Sequence, residues 1–331
     1  MRCQIISLIA SLFLNALLIF LISNKSPKKM GGYRYIMLYF AVFAIVFAVM
    51  DVLAQPIIYT LGTSVVVSSR LIYSPTITTI IIGALCGCVG VSIYFLVIHF
   101  IFRYFALERK GRLVYFKGKR LIIWLSIPVI CGIIWSSISY FIFKPTEFTD
   151  SYISQYVLPY FNVSIDTISY FSVIYFTENQ EPYMPHCIGI VLLILMMAIS
   201  FSLVSYYAIR NYFLITRLTK STGESKFTKS LQSQLYKALL AQTIIPIFLM
   251  YIPIGSMFIL PIFEIDMTRI NDFIIVAYAI YPAIDPMPLL FIVDNYRNEI
   301  KRIIKGFPKS LCVGVIPKNK VDIELTSVTI T

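Results

Sequence analysis

Seven stretches almost free of charge divide this chain, and basic residues gather on alternate connections between them. The stretches are 5–22, 36–61, 77–102, 121–143, 187–209, 238–263 and 273–293, each of 18 to 26 residues. A hydrocarbon layer about 30 Å thick takes roughly 20 helical residues to cross. Within these runs the only acidic, basic or imidazole side chains are Asp51, His99 and Asp285. A soluble helix breaks such a run with a polar face every few residues. The pattern therefore predicts an all-α fold, a bundle of seven transmembrane helices occupying residues 1–295.

Composition agrees with that reading. Of 331 residues 58% are hydrophobic, against about 45–50% in soluble domains. One membrane domain uses nearly the whole chain, and no repeat with a period of 20–50 residues is visible. The net charge of +12 sits in short connections rather than on a folded basic face. That favours anionic membrane lipids over nucleic acid as its partner. Six cysteines, at positions 3, 86, 88, 131, 187 and 312, are scattered mainly in apolar runs, which argues against a disulfide framework or a zinc site. A bond from Cys187 to the 86/88 pair is disfavoured because two of the three lie deep in the membrane.

The charges also predict orientation. The connection 23–35 carries four Lys and Arg, 103–120 carries seven, 210–237 carries six, and the tail from 294 carries seven. The opposite side has Arg2, Arg70, Lys144 and Arg269. Cytoplasmic loops are enriched in basic residues, so the N-terminus is expected outside and the C-terminus in the cytoplasm. The first run is long enough to span and is followed by a basic cluster, so it is read as a helix rather than a cleaved signal peptide. Of two N-x-S sequons, the one at Asn24 falls on the inner side. The one at Asn162 lies in the outer loop 144–186 and is the glycosylation candidate. That long loop reads equally as a lid over a cavity or as a variable solvated loop.

Two features mark the inner side. The connection 213–235 is expected to extend helices five and six beyond the membrane. Residues 296–307 place Ile300, Ile303, Ile304 and Phe307 at helical spacing, with Lys301, Arg302 and Lys305 elsewhere. This is the pattern of an interfacial amphipathic helix, stopped by Gly306 and Pro308, with 308–331 a flexible cytoplasmic tail. Prolines 56, 128, 246, 253, 282, 286 and 288 fall inside spans, where each removes a backbone hydrogen bond. They read either as pivots or as the ordinary prolines of membrane helices.

Ionisable groups in lipid are costly and are functional candidates by default. Asp51 falls in the outer half of the second span, as a ligand contact or a hydrogen-bonded structural acid. Asp285 precedes Pro286 and Pro288, where it is placed to serve backbone groups freed by a kink, with Asn15 as a partner. His99 stands one turn before Arg103, near the inner face, and is assigned to signal transmission or an interhelical hydrogen bond. A lone histidine makes no metal site. No catalytic set, HExxH or glycine-rich phosphate loop is present, so no enzyme activity and no cofactor are expected. Cys86, Gly87, Cys88 and Gly90 are read as a close helix-packing surface.

With these motifs placed, the chain resembles the nematode serpentine chemoreceptors of the str class, which includes the diacetyl odorant receptor. The resemblance is carried by Pro27-Lys28-Lys29-Met30-Gly31-Gly32-Tyr33-Arg34-Tyr35, by Asp51 and Gln55-Pro56, and by Cys86-Gly87-Cys88. It continues with His99-Phe100-Ile101-Phe102-Arg103-Tyr104-Phe105, with Leu231-Gln232-x-Gln234-Leu235-Tyr236-Lys237, and with Gln242-Thr243-Ile244-Ile245-Pro246. Asp285-Pro286-Met287-Pro288 and Tyr296-Arg297 complete it. The resemblance implies a G-protein-coupled odorant receptor in the ciliary membrane of a sensory neuron. Arg103-Tyr104 stands where related receptors carry Asp-Arg-Tyr, but Phe102 replaces the acid, which puts the usual ion lock in doubt. Thr78 replaces the usual outer cysteine 25 residues before Arg103.

The expected mechanism is a small odorant, of the volatile class, held between helices three, five, six and seven. Tyr94, Met257, Tyr278 and Tyr281 are the candidate lining, with Asp51 nearby. For coupling to a heterotrimeric G protein the candidates are His99, Arg103, Tyr104, Arg112, Lys237 and Asp285. The alternative from another class is a polytopic transporter or ligand-gated channel; the odd span count and lack of related halves speak against it.

Overall fold

The computed structural model describes residues 2–27, 30–71, 74–108, 111–161, 169–220, 223, 225–265 and 267–313. In chain order they form α1 (Arg2–Lys25), α2 (Tyr33–Ala54), β1 (Pro56–Leu61), β2 (Ser64–Ser69), α3 (Pro75–Glu108) and α4 (Lys119–Ile142). There follow α5 (Glu147–Phe161), β3 (Tyr170–Ile174), α6 (Met184–Lys220), α7 (Lys226–Pro246), α8 (Ile252–Ile259), α9 (Thr268–Ile284), α10 (Met287–Ile292) and α11 (Asp294–Val313). Seven segments are long and apolar enough to cross a membrane: α1, α2, α3, α4, α6, Lys226–Phe263 and Arg269–Ile292. Large apolar side chains such as Ile9, Phe13, Ile133, Phe141 and Val191 stand exposed on their outer faces. Hydrocarbon is a good solvent for such groups and water is not, so the chain is a multi-pass membrane protein.

Helix α3 is the axis of the bundle. From Val89 through Tyr104 nearly every side chain is buried, so neighbours pack against it on all sides. Two clusters divide the interior along its length. One gathers Leu21, Tyr33, Phe100, Leu235 and Tyr296 toward the end where the basic connections lie. The other gathers Phe47, Ile82, Ile93, Trp135 and Met250 toward the opposite end. Helix α4 crosses α3 at the predicted small-residue surface. A Cβ on Gly132 would sit 2.7 Å from the Gly87 carbonyl oxygen and 2.3 Å from a Val91 methyl, and one on Gly90 would sit 2.9 Å from Trp135 Cβ. Backbones this close leave no room for a side chain.

At the end remote from the basic connections the chain makes a three-stranded antiparallel sheet in the order β1–β2–β3. Here the second predicted span needs correction: the run 36–61 is helical only to Ala54. Gln55 adopts left-handed geometry (φ 37°) while its N–H caps Asp51 O at 2.8 Å. Pro56 has no N–H to give a helix and disfavours helical geometry in the residue before it. Ile57, Ile58, Tyr59 and Thr60 then supply β-forming side chains. Gly62, with φ 56°, takes the tight turn that L-residues avoid, and Val65, Val66 and Val67 return.

The sheet is tied to the bundle at many points. Ser69 Oγ donates to Ala54 O (2.6 Å), Ser172 N–H to Phe143 O (2.9 Å) and Asn271 Nδ2 to Thr60 Oγ1 (3.0 Å). Helix α5 covers its outer face, burying Tyr152 and Ile153 against Leu61, Val66 and Ile174. The long loop 144–186 is therefore an ordered cap over its described parts.

Beyond the basic end, α6 and α7 continue to Lys220 and from Lys226, as expected for the fifth connection. Helix α11 leaves Ile303 and Ile304 exposed, and it passes the expected stops Gly306 and Pro308 to run to Val313. Pro308 has no N–H to serve the carbonyl of exposed Ile304. A Lys25–Glu299 bridge (2.9 Å) and a Ser26–Tyr296 hydrogen bond (2.7 Å) fix its start beneath α1. Asn162, Phe307's side chain and the tail after Val313 lie outside what is described.

The glycine contacts give a paired test. Gly132→Val should destabilise the purified protein by about 1–3 kcal/mol through overpacking. A Cβ on Gly255, in α8, would meet nothing within 4 Å, so Gly255→Ala should be neutral or raise stability by up to about 1 kcal/mol. Thermal unfolding in detergent measures both.

Candidate functional site

The strands and helices enclose an apolar cavity of about 90 Å³ beneath the sheet, well above the roughly 10–15 Å³ that holds one water. The register explains its roof. Ile58 pairs with Val67 and Val67 with Phe171, while Val65 pairs with Val173. Strand side chains alternate faces, so these five share one face and all line the cavity. Its walls come from Phe47 of α2, Ile82, Leu85 and Val89 of α3, Trp135 of α4, Leu193 of α6, Ile254 and Phe258 of α8, and Tyr278 of α9. No lining residue is charged. Ser139 lines it too, but its hydroxyl already donates to Trp135 O at 3.1 Å.

Three hydrogen bonds hold the third strand, two to the walls and one to the covering helix α5. The Ile174 N–H donates to Nδ1 of His186 at the start of α6 (2.9 Å), so that ring is neutral with its proton on Nε2. Tyr175 donates its hydroxyl to the Phe258 carbonyl of α8 (2.6 Å). Tyr170 donates to Asp150 of α5. Burial raises the phenol pKa of Tyr170 and Tyr175 well above the ordinary range, with Asp150 adding to the effect on Tyr170. Both stay protonated donors across the physiological range. His186, 1 % exposed, escapes a reading of the sequence because it sits just before an apolar run.

Of the five predicted ligand residues, Met257 and Tyr278 line the cavity and the other three do not. Tyr281 packs edge-on against Phe47 (5.7 Å) below it. Tyr94 hydrogen-bonds Met196 O at 3.2 Å. Asp51 is buried and faces Gln4 of α1, turned away from the cavity.

Below the cavity the sixth span changes pitch. α7 ends at Pro246, a π-helical turn covers Ile247–Tyr251, and α8 follows with Pro253. Such turns and prolines mark places where a helix bends. Tyr251 in this turn bonds Ser200 of α6 (2.7 Å), which donates to Ile93 O of α3 (3.1 Å). In the seventh span Pro286 cannot donate to the Pro282 carbonyl. Asn15 Nδ2 (3.0 Å) and Ser11 Oγ (3.2 Å) of α1 take that acceptor, Ser7 bonds Ala279 O, and Gln242 Nε2 bonds Asp285 O at 3.1 Å. Asn15 thus serves the kink as expected, whereas the Asp285 carboxyl oxygen Oδ1 has no hydrogen-bond partner among the described residues.

Toward the basic end, His99 is wrapped by Tyr33, Phe40 and Phe95, with Nδ1 3.2 Å from the Tyr33 hydroxyl. Arg103, 2 % exposed, lies over the same Tyr33 ring (5.2 Å) and donates to the Gln232 carbonyl of α7 at 2.9 Å. The pair thus links α2, α3 and α7 with no carboxylate partner among the described residues. Tyr104 donates to Glu108 (3.1 Å), which pairs with Arg112 (3.2 Å), and Arg210 of α6 reaches Tyr104 at 3.5 Å. Lys237 is exposed. The five cysteines described are free, and Cys187 Sγ donates to Tyr175 O at 3.7 Å.

An apolar chamber capped at one end of seven spans, with a buried cation linking helices at the other, defines a seven-helix receptor bundle. The chain belongs to the serpentine type 7TM GPCR chemoreceptor Str family, whose sequence model matches residues 1–301. It is similar to serpentine receptor class r-10 of Caenorhabditis elegans, at 29% identity over 93% of this chain and 91% of the relative. The Caenorhabditis briggsae receptor of that name is 30% identical over 86% of this chain and 84% of its own length. The G-protein coupled receptor str-217 of C. elegans is 28% identical over 95% and 91%. This is a family of receptors rather than enzymes.

The kink has a direct test. Asn15→Leu should cost about 1–2 kcal/mol by stripping the Pro282 carbonyl of its amide donor. Ser11→Ala should cost less, since Asn15 remains. Thermal unfolding of the two variants ranks them.

Proposed function

We propose that this protein is a G-protein-coupled chemosensory receptor whose ligand is a small, apolar, uncharged odorant held in the roofed cavity. The observation that carries the reading is the wholly uncharged lining beneath Ile58, Val65, Val67, Phe171 and Val173. A charged ligand would lose its hydration there with nothing to replace it. Apolar burial and shape supply the affinity instead. At a ceiling of about 1.5 kcal/mol per non-hydrogen atom, a ligand of about six such atoms reaches roughly 9 kcal/mol, so micromolar dissociation constants are the expected scale.

Ligand contact falls on Ile254, Met257 and Phe258 of α8, immediately above the π-helical turn and Pro253. Differential affinity for two settings of α8 would bias the bend between α8 and α7. A swing of α7 carries Gln232 away from Arg103 and opens the inner ends of α6 and α7. His99 and Arg103, sharing Tyr33, report that movement to α2 and α3. Arg112 and Lys237 stand at the surface that would receive a heterotrimeric G protein, with Tyr104 buried behind Arg112 and joined to it through Glu108, and Asp285 sits at the kink beside Gln242. In this scheme Met257 and Tyr278 contact ligand, while Asp51, Tyr94 and Tyr281 support the helices around it.

The basic end faces the cytoplasm in this reading, since cytosolic retention of Lys and Arg orients helical proteins. The sheet and α5 face outside, Asn162 is available for a glycan, and the receptor resides in the ciliary membrane of a sensory neuron.

The test is expression in heterologous cells with a calcium or cAMP readout against a panel of small volatiles. Leu85→Trp fills the cavity, so it should lower potency at least about tenfold with unchanged surface delivery. Potency that survives the filling would place the ligand elsewhere. Current without G proteins would favour a channel. His99→Ala should reduce maximal response more than surface delivery, and unchanged potency and efficacy would remove His99 from the transmission path.

A further inference from the structure

The second cavity of interest lies at the basic end and is chemically the opposite of the first. It measures about 210 Å³ and is lined by Gly32, Tyr33, Arg103, Lys117 and Gln232, closed on its apolar side by Phe116. Arg103 is 2 % exposed. One of its donors is used on the Gln232 carbonyl, but among the described residues Nε has no hydrogen-bond partner, and neither has Gln232 Oε1. Among the described residues, too, no carboxylate lies within ion-pair distance of Arg103.

A guanidinium taken out of water without an anion carries a desolvation cost of several kcal/mol. The Tyr33 ring face, 5.2 Å away, returns only about 2 kcal/mol of that. The same cavity receives the start of α2, a 22-residue helix whose Ncap Gly32 has no side-chain cap. Helix N-termini carry partial positive charge and bind anions. Lys117, exposed at the cavity mouth in the connection before α4, adds a third positive source. A buried guanidinium with a free donor, a helix N-terminus and a lysine converge on one space, and no acid lines it.

We infer that this cavity is an oxyanion site, taking a phosphate group bidentately on Arg103 with Lys117 and the α2 N-terminus as supports. Phosphate fits because a planar guanidinium offers paired donors to it and lysine adds a point charge. Its source is either a phosphorylated lipid headgroup, since the mouth lies at the membrane end beside the basic connections, or free phosphate. Occupancy neutralises Arg103 while it bridges α2, α3 and α7, so bound anion strengthens the arrangement in which Arg103 holds Gln232. The site stands apart from the odorant cavity and is tested without an odorant.

Full-length receptor in nanodiscs of neutral phosphatidylcholine is titrated with inorganic phosphate at constant ionic strength, with chloride as the control salt. Thermal unfolding is followed by the fluorescence of Trp124, which stacks on Phe116 at 4.6 Å, and of Trp135. The expected result is a saturable rise in melting temperature with phosphate. Arg103→Gln should abolish it, and Lys117→Gln should raise the half-saturating phosphate concentration about tenfold. Without phosphate, Arg103→Gln should unfold no earlier than the wild type, because it removes an unpaired buried charge. Discs containing phosphatidylinositol bisphosphate separate the sources. If a headgroup fills the site, these discs raise the melting temperature and abolish the response to free phosphate; if free phosphate fills it, the response persists. No stabilisation by either source, or a response intact in Arg103→Gln, overturns the site. Should Arg103→Gln fail to fold, an unshifted half-saturation in Lys117→Gln overturns it equally.

Discussion

No water accepts a hydrogen bond in the hydrocarbon layer, so every backbone group that a proline frees must find a partner within the protein. The rest of the bundle is arranged around that demand. Pro286 orphans the carbonyl of Pro282, and α1 comes close enough for Asn15 and Ser11 to take it. Gln242 of α7 reaches a carbonyl three residues further along the kink, that of Asp285. The polar stripe on α1 (Ser7, Ser11 and Asn15, all buried) is thus the counterpart of irregular backbone in the seventh span. It fixes which helices are neighbours, because the Ala279 and Pro282 carbonyls draw their side-chain donors from α1.

The same economy of polar groups separates the two ends of the molecule. Beneath the sheet, the Ser139 and Tyr175 hydroxyls and the imidazole of His186 are used on backbone, and no charged residue lines the chamber. That chamber suits ligands held by shape and burial. At the basic end polarity is in surplus: Arg103 has more donors than the described fold consumes, and no acid among the described residues pairs with it. Between the two ends runs the sixth span, broken at Pro246 and the π-helical turn. It touches the apolar chamber through α8 and the cation through the Gln232 carbonyl of α7. A bend in this one span joins the two chemistries.

Seven spans, their approximate limits and the basic side are legible in the chain because hydrophobicity needs only local composition to be read. The α3–α4 contact is legible for a related reason: Gly87 and Gly90 on one helix declare close approach whatever the partner. The sheet is hidden, although Gly62 between two β-branched runs carries a hairpin signal. An apolar strand and an apolar membrane helix share composition, and only Gln55-Pro56 marks the change from one to the other. Asp51 draws attention as a charge in lipid, yet the face it occupies turns to Gln4. The cavity lining is recovered only at Met257 and Tyr278, because lining depends on which rotational face each helix presents to its neighbours.

The chain by itself determined the number of crossings, the placement of charge, the kinks and the kinship, since each follows from the solvent that single residues prefer or from motifs in linear order. Tertiary structure alone decided that three short strands would roof an apolar chamber, that His186 and Tyr175 would pin that roof, and that a buried arginine would find a carbonyl instead of an acid. These are pairings across 12 to 129 positions of chain. No local preference encodes them, because the partner's position exists only once the helices have packed.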